Sequence, residues 1–172
     1  MHIAMKAVLA SVLLSLLCCA SATAQQAVLP DEYVAPNSTP IELAHSLQPV
    51  NFRQYVISNE HEGHIFVVEG EAQNNSAQPV GGVMVQVALY DKTDAVVAQQ
   101  DRLCGNTLSL FQLQVQSRQE LIDALASQVG IDLNNTYIKP GETTPFMMVF
   151  FDPPANVEQY RITVMRAEPA SR

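Results

Sequence analysis

Between Ile65 and Gln100 the side chains keep a period of two, and that period restricts this part of the chain to extended structure. Phe66, Val68, Gly70 and Ala72 alternate with Val67, Glu69, Glu71 and Gln73, which predicts one apolar and one wet face. Asn74-Asn75-Ser76 and Pro79 break the run with residues suited to turns. A second run sets Val83, Val85, Val87 and Leu89 against Met84, Gln86, Ala88 and Tyr90. A third, Ala95 to Gln100, follows the polar turn Asp91-Lys92-Thr93-Asp94. Three consecutive strands with short polar connections predict an antiparallel meander at the centre of a single domain.

The residues ahead of this core divide into a leader and a spacer. Met1 to Lys6 gives a cationic start, Ala7 to Leu17 is apolar, and Ala22-Thr23-Ala24 supplies small residues before Gln25. That order reads as a secretory signal peptide over residues 1–24, cleaved after Ala24. The apolar block is shorter than the roughly 20 residues a spanning helix needs, so no transmembrane segment is expected in the mature chain. Lipid attachment at Cys18 or Cys19 is the competing reading, but Leu17 and Cys18 stand where lipidation normally wants a small residue. A periplasmic or secreted location is the expectation. Residues 25–50 carry Pro30, Pro36, Pro40 and Pro49 among Ser, Thr, Asn and Gln, and read as a flexible N-terminal tether with one helical turn at most, Ile41 to Leu47. The β-sandwich domain is expected over residues 51–168.

Charge narrows the partners. The chain holds 17 acidic and 9 basic side chains, a net charge of −8, and loss of Lys6 with the leader leaves 148 residues at −9. Such a surface repels phosphate backbones and anionic lipid, so nucleic acid is not an expected partner. Of three cysteines only Cys104 follows the leader, which predicts no internal disulfide. Flanked by Leu103 and Gly105, it reads as a small buried apolar residue, with a nucleophile or an intermolecular bridge as the alternative.

Flanking segments complete the pattern. Asn51 to Ser58 reads as a first strand at a sheet edge, followed by the polar loop Asn59-Glu60-His61-Glu62-Gly63-His64. In Leu108 to Val115 the residues Phe111, Leu113 and Val115 alternate like a strand, yet a short helix packed on the sheet fits as well and is the expectation. Ser117-x-x-Glu120 is a capping box, and Leu121, Ile122, Leu125 and Val129 follow at helical spacing, so a helix is expected from Arg118 to Val129 with Gly130 stopping it. Lys139-Pro140-Gly141 predicts a type II turn. Phe146 to Phe151 is apolar on both faces, as in mid-sheet or under a helix, and Arg118 to Val129 is its natural cover. Tyr160, Ile162 and Val164 alternate with Arg161, Thr163 and Met165 in a final strand, with a frayed tail after Ala167.

Taken in order, four of these segments resemble a known family. They are Phe66-Val67-Val68-Glu69-Gly70 with Asn74-Asn75-Ser76, Val87-Ala88-Leu89-Tyr90-Asp91, Gly105-Asn106-Thr107-Leu108-Ser109, and Pro140-Gly141 with Pro145 to Phe150 and Asp152-Pro153-Pro154. The set resembles domain-of-unknown-function family 3426 over about residues 52–167. The resemblance implies an extracytoplasmic, immunoglobulin-like antiparallel β-sandwich, related to the FxLYD type of bacterial envelope proteins, with a helical insertion. Family members often carry an N-terminal zinc ribbon and a membrane helix. This chain departs from them, with no CxxC pair and a cleavable leader in place of the anchor. The resemblance brings no catalytic residue, cofactor or metal with it.

Each candidate for chemistry has a plainer reading beside it. His61 and His64, with Glu60, Glu62 and a distant His45, hold the donor types of a zinc or copper site. The spacing is one residue short of H-E-x-x-H, and Gly63 argues against a helix there, so a solvated loop is expected. Asp91, Asp94 and Asp101 lack the ladder of oxygen ligands of a calcium loop and suit a hairpin turn. Glu69 and Glu71 share a strand face at about 7 Å, a separation of interest for glycoside hydrolysis; the chain has no tryptophan to stack a sugar. Ser117 is engaged as a cap, with no G-x-S-x-G around it. Met147, Met148 and Phe151 would line an apolar ligand pocket under the helix, or simply pack. Asn74-Asn75-Ser76 and Asn134-Asn135-Thr136 match glycosylation sequons and read as turns. The function expected is therefore an exported, non-catalytic binding or scaffolding module without cofactor or metal, meeting an envelope protein through a sheet edge or the loops at one end, with Tyr55 to Ser58 as that edge. The alternative is a metal-binding protein or metal-dependent enzyme using the His61/His64 loop.

Overall fold

The computed structural model describes residues 40–170 of the 172-residue chain. The signal peptide expected at 1–24 and residues 25–39 of the tether lie outside the described residues. A short helix α1 (Pro40–His45) precedes four strands, β1 (Leu47–Asn59), β2 (Gly63–Asn74), β3 (Val80–Tyr90) and β4 (Val96–Leu103). Three helices follow, α2 (Leu110–Val115), α3 (Arg118–Leu125) and α4 (Gln128–Asn134), then β5 (Thr143–Phe151) and β6 (Gln159–Pro169). The strands form two antiparallel sheets, β1-β2-β5 and β4-β3-β6. The fold is mainly β, an antiparallel β-sandwich with a helical insertion. In immunoglobulin letters the sheets run A-B-E and C′-C-F. The helices occupy the place of strand D, and among the described residues no strand takes the place of G beside β6.

The meander expected over Ile65–Gln100 is not what forms. β3 and β4 pair as a hairpin, with Gln86 opposite Asp101, but β2 and β3 belong to different sheets. The connection crosses the sandwich because Asn74 turns its side chain into a buried hub. Its Nδ2 donates to Gln78 O (2.9 Å) and Ile138 O (3.0 Å), while its Oδ1 accepts from the backbone N–H and the hydroxyl of Ser76. A residue so buried serves as a strap between layers, and the first sequon is consumed by it.

Two apolar clusters explain why both sheets hold. Between the sheets lie Val68, Ala72, Val83, Val85, Val87, Leu89, Phe146, Met148, Phe150 and Val164. On the outer side of the first sheet, Ile65, Val67, Met147 and Val149 meet Leu113, Leu121 and Leu125 from the helices. Val67 is therefore buried, not wet, and only the Glu69–Glu71 end of that face is polar. β5 alternates between the clusters, as its doubly apolar sequence requires, and α3 covers it as expected. Met147 and Met148 consequently face opposite ways and do not line one pocket. Full burial of a leucine such as Leu121 stabilises the fold by about 2–3 kcal/mol, which fixes the helical layer to the sheet.

The boundaries shift at both ends of the domain. The tether expected through residue 50 overlaps the fold, because Leu43, Ala44 and Leu47 are buried in the inter-sheet cluster. Two of the prolines read as tether signals fit ordered roles: Pro40 opens α1, where a missing N–H costs nothing, and Pro49 lies in an edge strand. At the other end β6 continues to Pro169, where Ala170 N donates to Pro79 O (3.1 Å), so the tail is paired past Ala167.

The helix expected from Arg118 to Val129 ends at Leu125, and a separate helix begins at Gln128. Asn106 causes the break, its Nδ2 donating to Leu125 O (3.1 Å) and Ser127 O (2.8 Å). Gly130 lies inside α4 and does not stop a helix; it lets Asn106 pass, since a Cβ there would sit 2.7 Å from Asn106 Cγ and 3.0 Å from Gly105 O. Val129 is correspondingly exposed. The type II turn is present, with Gly141 at φ 82° and Glu142 N donating to Lys139 O (2.9 Å).

Candidate functional site

The sandwich leaves one flank open, between β1 and β6. The opposite flank is closed across the layers: Gln100 Nε2 donates to Val149 O (3.0 Å), and Gly105 N to Pro145 O (2.7 Å). On the open flank α1 packs against β6 and covers the end where β1 begins. Beyond it, among the described residues, no strand pairs with the outer edge of β1, and the side chains it turns towards the sandwich interior reach solvent. Phe52 is 49% and Val56 61% exposed.

Local sequence explains the shape of this edge. Asn51 takes a left-handed conformation, φ 50°, at a bulge between Val50 and Arg53. The bulge swings Phe52 across Gly70, where an added Cβ would lie 2.8 Å from Phe52 Cβ. Pro49 and the bulge spoil the first half of β1 for further pairing, whereas Arg53 to Asn59 pairs regularly with β2 and has neither device. Along its outer face Arg53 and Tyr55 both hydrogen-bond Glu69, the phenol at 2.9 Å, and Arg53 lies over the Tyr55 ring at 5.6 Å. Burial, and then the bond to Glu69, push the Tyr55 phenol up to about 12, so it stays a donor at neutral pH. Glu71 accepts from Asn51 Nδ2 (2.9 Å). These residues, with Thr107 to Leu110 and Pro145, line a cleft of about 530 Å³ beside the edge.

The β1–β2 hairpin is pinned to the helices at its tip. Asn59 Nδ2 donates to Leu113 O and Gln116 O, both at 2.8 Å, and its Oδ1 accepts from the N–H groups of His61 and Glu62. The histidines of this loop are engaged separately: His61 Nε2 contacts Val115 O (3.1 Å) and His64 Nδ1 contacts Ser58 Oγ (3.3 Å). Glu62 is bound to Arg118, which also holds Asp152 (2.8 Å) and stacks on Phe151 at 4.7 Å. His45 is exposed at the end of α1. Among the described residues no three His, Cys, Asp or Glu side chains group closely enough to hold a metal ion.

The remaining candidates have structural partners. Asp91 Oδ1 accepts from the Thr93 hydroxyl, Thr93 N and Ala95 N, which hold its carboxyl below the usual range. Asp101 sits opposite Gln86 in the β3–β4 ladder, away from that turn. Cys104 is fully buried, and burial pushes its thiol up to about 12. Ser117 gives its N–H and hydroxyl to Glu120. A second capping box, Ser109 with Gln112, opens α2; the S-x-x-Q spacing would have settled that segment as helix. Asn135, taken as half of a turn, is a buried staple. It donates to Val83 O (2.9 Å) and Cys104 O (3.0 Å) and accepts from Val83 N (2.8 Å).

Fold and flank together define a class, a β-sandwich with a helical cover in which, among the described residues, no strand pairs with the outer edge of β1. The model of the family described as Protein of unknown function (DUF3426) matches residues 47–164, and the chain belongs to that family. No curated protein and no solved structure matches the chain. Among the described residues no helix is long and apolar enough to cross a membrane.

Proposed function

We propose that this protein is an exported, non-catalytic binding module of the bacterial envelope that takes a protein partner along the open edge of β1. The stretch Arg53 to Ser58, which no strand pairs on its outer side among the described residues and in which Val56 is exposed, carries this reading. Half of the backbone N–H and C=O groups of an edge strand point away from the sheet, and a partner segment that pairs with them gains a ladder of hydrogen bonds. Exposed alternate side chains then supply selectivity. A photo-crosslinking residue placed at Val56 in cells tests it. The expectation is a discrete protein adduct, absent when the same probe replaces Thr163 on the outer face of β6. No adduct at position 56 would overturn the reading. Intact mass tests export separately: a chain beginning at Gln25 is expected, and a retained leader would contradict it.

A further inference from the structure

We infer that the segment which pairs with β1 is the β1 of a second copy of this chain, the two strands antiparallel about a two-fold axis at Val56. This rests on the edge reading above and names its partner.

Charge is the first argument. The chain is strongly acidic, with 17 acidic against 9 basic side chains, so two copies repel over most of their surfaces. β1 offers a stretch without that repulsion, since its 13 residues, Leu47 to Asn59, contain no acid and Arg53 as their one charge. Antiparallel pairing about Val56 sets Arg53 of each copy opposite Asn59 of the other, next to Glu60 at the hairpin tip. The Arg53 side chain is 69% exposed even as it holds Glu69. Both ends of the seam then join a cation to an acid, and two acidic proteins can meet along it without like charges opposed.

Pattern is the second argument. An isologous contact requires a surface that complements itself. Gln54-Tyr55-Val56-Ile57-Ser58 reads polar, apolar, apolar, apolar, polar in either direction. Pairing about its centre sets Val56 on Val56, Tyr55 on Ile57 and Gln54 on Ser58. It also covers Val56, which the sandwich leaves 61% exposed for want of a strand on that flank. The two first sheets become one continuous sheet of six strands.

Sedimentation equilibrium of the purified full chain, up to about 100 µM, tests this in wild type and Val56→Lys. The lysine sits at an exposed position, so the circular dichroism of the variant should match wild type. Two lysines opposed on the axis should weaken association at least about tenfold. Val56→Cys adds an independent readout. In the chain processed at Ala24, which has lost Cys18 and Cys19, the remaining Cys104 is buried, so the new thiol is the reactive one, and mild oxidation should link two copies through it, whereas Thr163→Cys should stay unlinked. A wild-type chain that stays monomeric, or a dimer indifferent to Val56→Lys, overturns the inference. The edge reading fails separately. A monomer whose Val56 probe captures a different protein keeps the edge and rejects self-pairing, and a monomer that captures nothing there rejects both.

Discussion

Replacing Gly130 by alanine should destabilise this protein, although helix propensity alone gives the opposite sign. Gly130 is the third residue of α4, and in a helix alanine is normally better than glycine by about 0.5–1 kcal/mol. Here the new methyl group meets Asn106, whose amide lies across the glycine on its way to Leu125 O and Ser127 O. The asparagine must swing away and give up both hydrogen bonds, each worth about 1–1.5 kcal/mol net. The backbone oxygen of Gly105, 3.0 Å from the same point, limits any retreat of α4. Setting a loss of about 2–3 kcal/mol against the helical gain leaves a net destabilisation of about 1–2 kcal/mol. For a domain of this size that lowers Tm by roughly 4–8 °C. Urea titrations of wild type, Gly130→Ala, Asn106→Ala and the double variant measure it as a cycle. In the Asn106→Ala background the obstacle is gone, and Gly130→Ala should be neutral or stabilising by up to about 1 kcal/mol. If Gly130→Ala stabilises the wild-type chain, or if the two changes are additive, Gly130 has no packing role and α4 is not seated on Asn106 as described.

Other expectations concern single side chains. Asn135→Ala strands Val83 N and Cys104 O in the core, while Val83 O keeps the N–H of Cys104, and should cost roughly 2–4 kcal/mol by urea denaturation; a loss within experimental error would deny the staple. Cys104 should fail to react with Ellman's reagent at pH 8 until guanidinium unfolds the chain, since burial keeps the thiol protonated. Rapid labelling of the folded protein would contradict its placement. The Glu120 carboxyl is held below its ordinary value by the Ser117 hydroxyl and then by Ser117 N–H. With the folded value the lower one, its contribution to stability is present above the unfolded carboxylate range, about 4.3, and fades as pH falls through the folded value. Ser117→Ala should move the Glu120 titration upwards by NMR; an unmoved curve would mean that the cap is not formed.

What the sequence made legible follows from which contacts are local. The capping box at Ser117, the turn at Pro140-Gly141 and the alternation of β3 and β6 depend on neighbours a few residues away, and each is present. The doubly apolar run Phe146–Phe151 even identified its own cover. Partnership between distant elements was not legible. Alternation shows that Phe66–Gln73 and Val83–Tyr90 are strands, yet nothing in a period of two says whether they share a sheet. That choice was made by the buried side chain of Asn74 bonding Ile138 O, 64 residues away. The same limit hid Asn106 and Asn135, which read as turn residues because asparagine usually is one. Residues 40–50 misled for a different reason: prolines mark loose chain on average, but Pro40 and Pro49 occupy the two ordered positions that tolerate them. At the candidate site, the edge position of Tyr55–Ser58 was readable, whereas the exposure of Phe52 and Val56 depends on the flank beside β6 being uncovered and needed the fold.

Amide hydrogen exchange along β1, followed by NMR across a dilution series, bears most directly on the open edge. In dilute protein, alternate N–H groups from Arg53 to Asn59 should exchange freely while those directed at β2 stay protected, and raising the concentration should slow the free set alone. Uniform protection of β1 at every dilution would mean that the edge is already occupied within one chain, and a free set indifferent to concentration would leave it without the partner assigned to it.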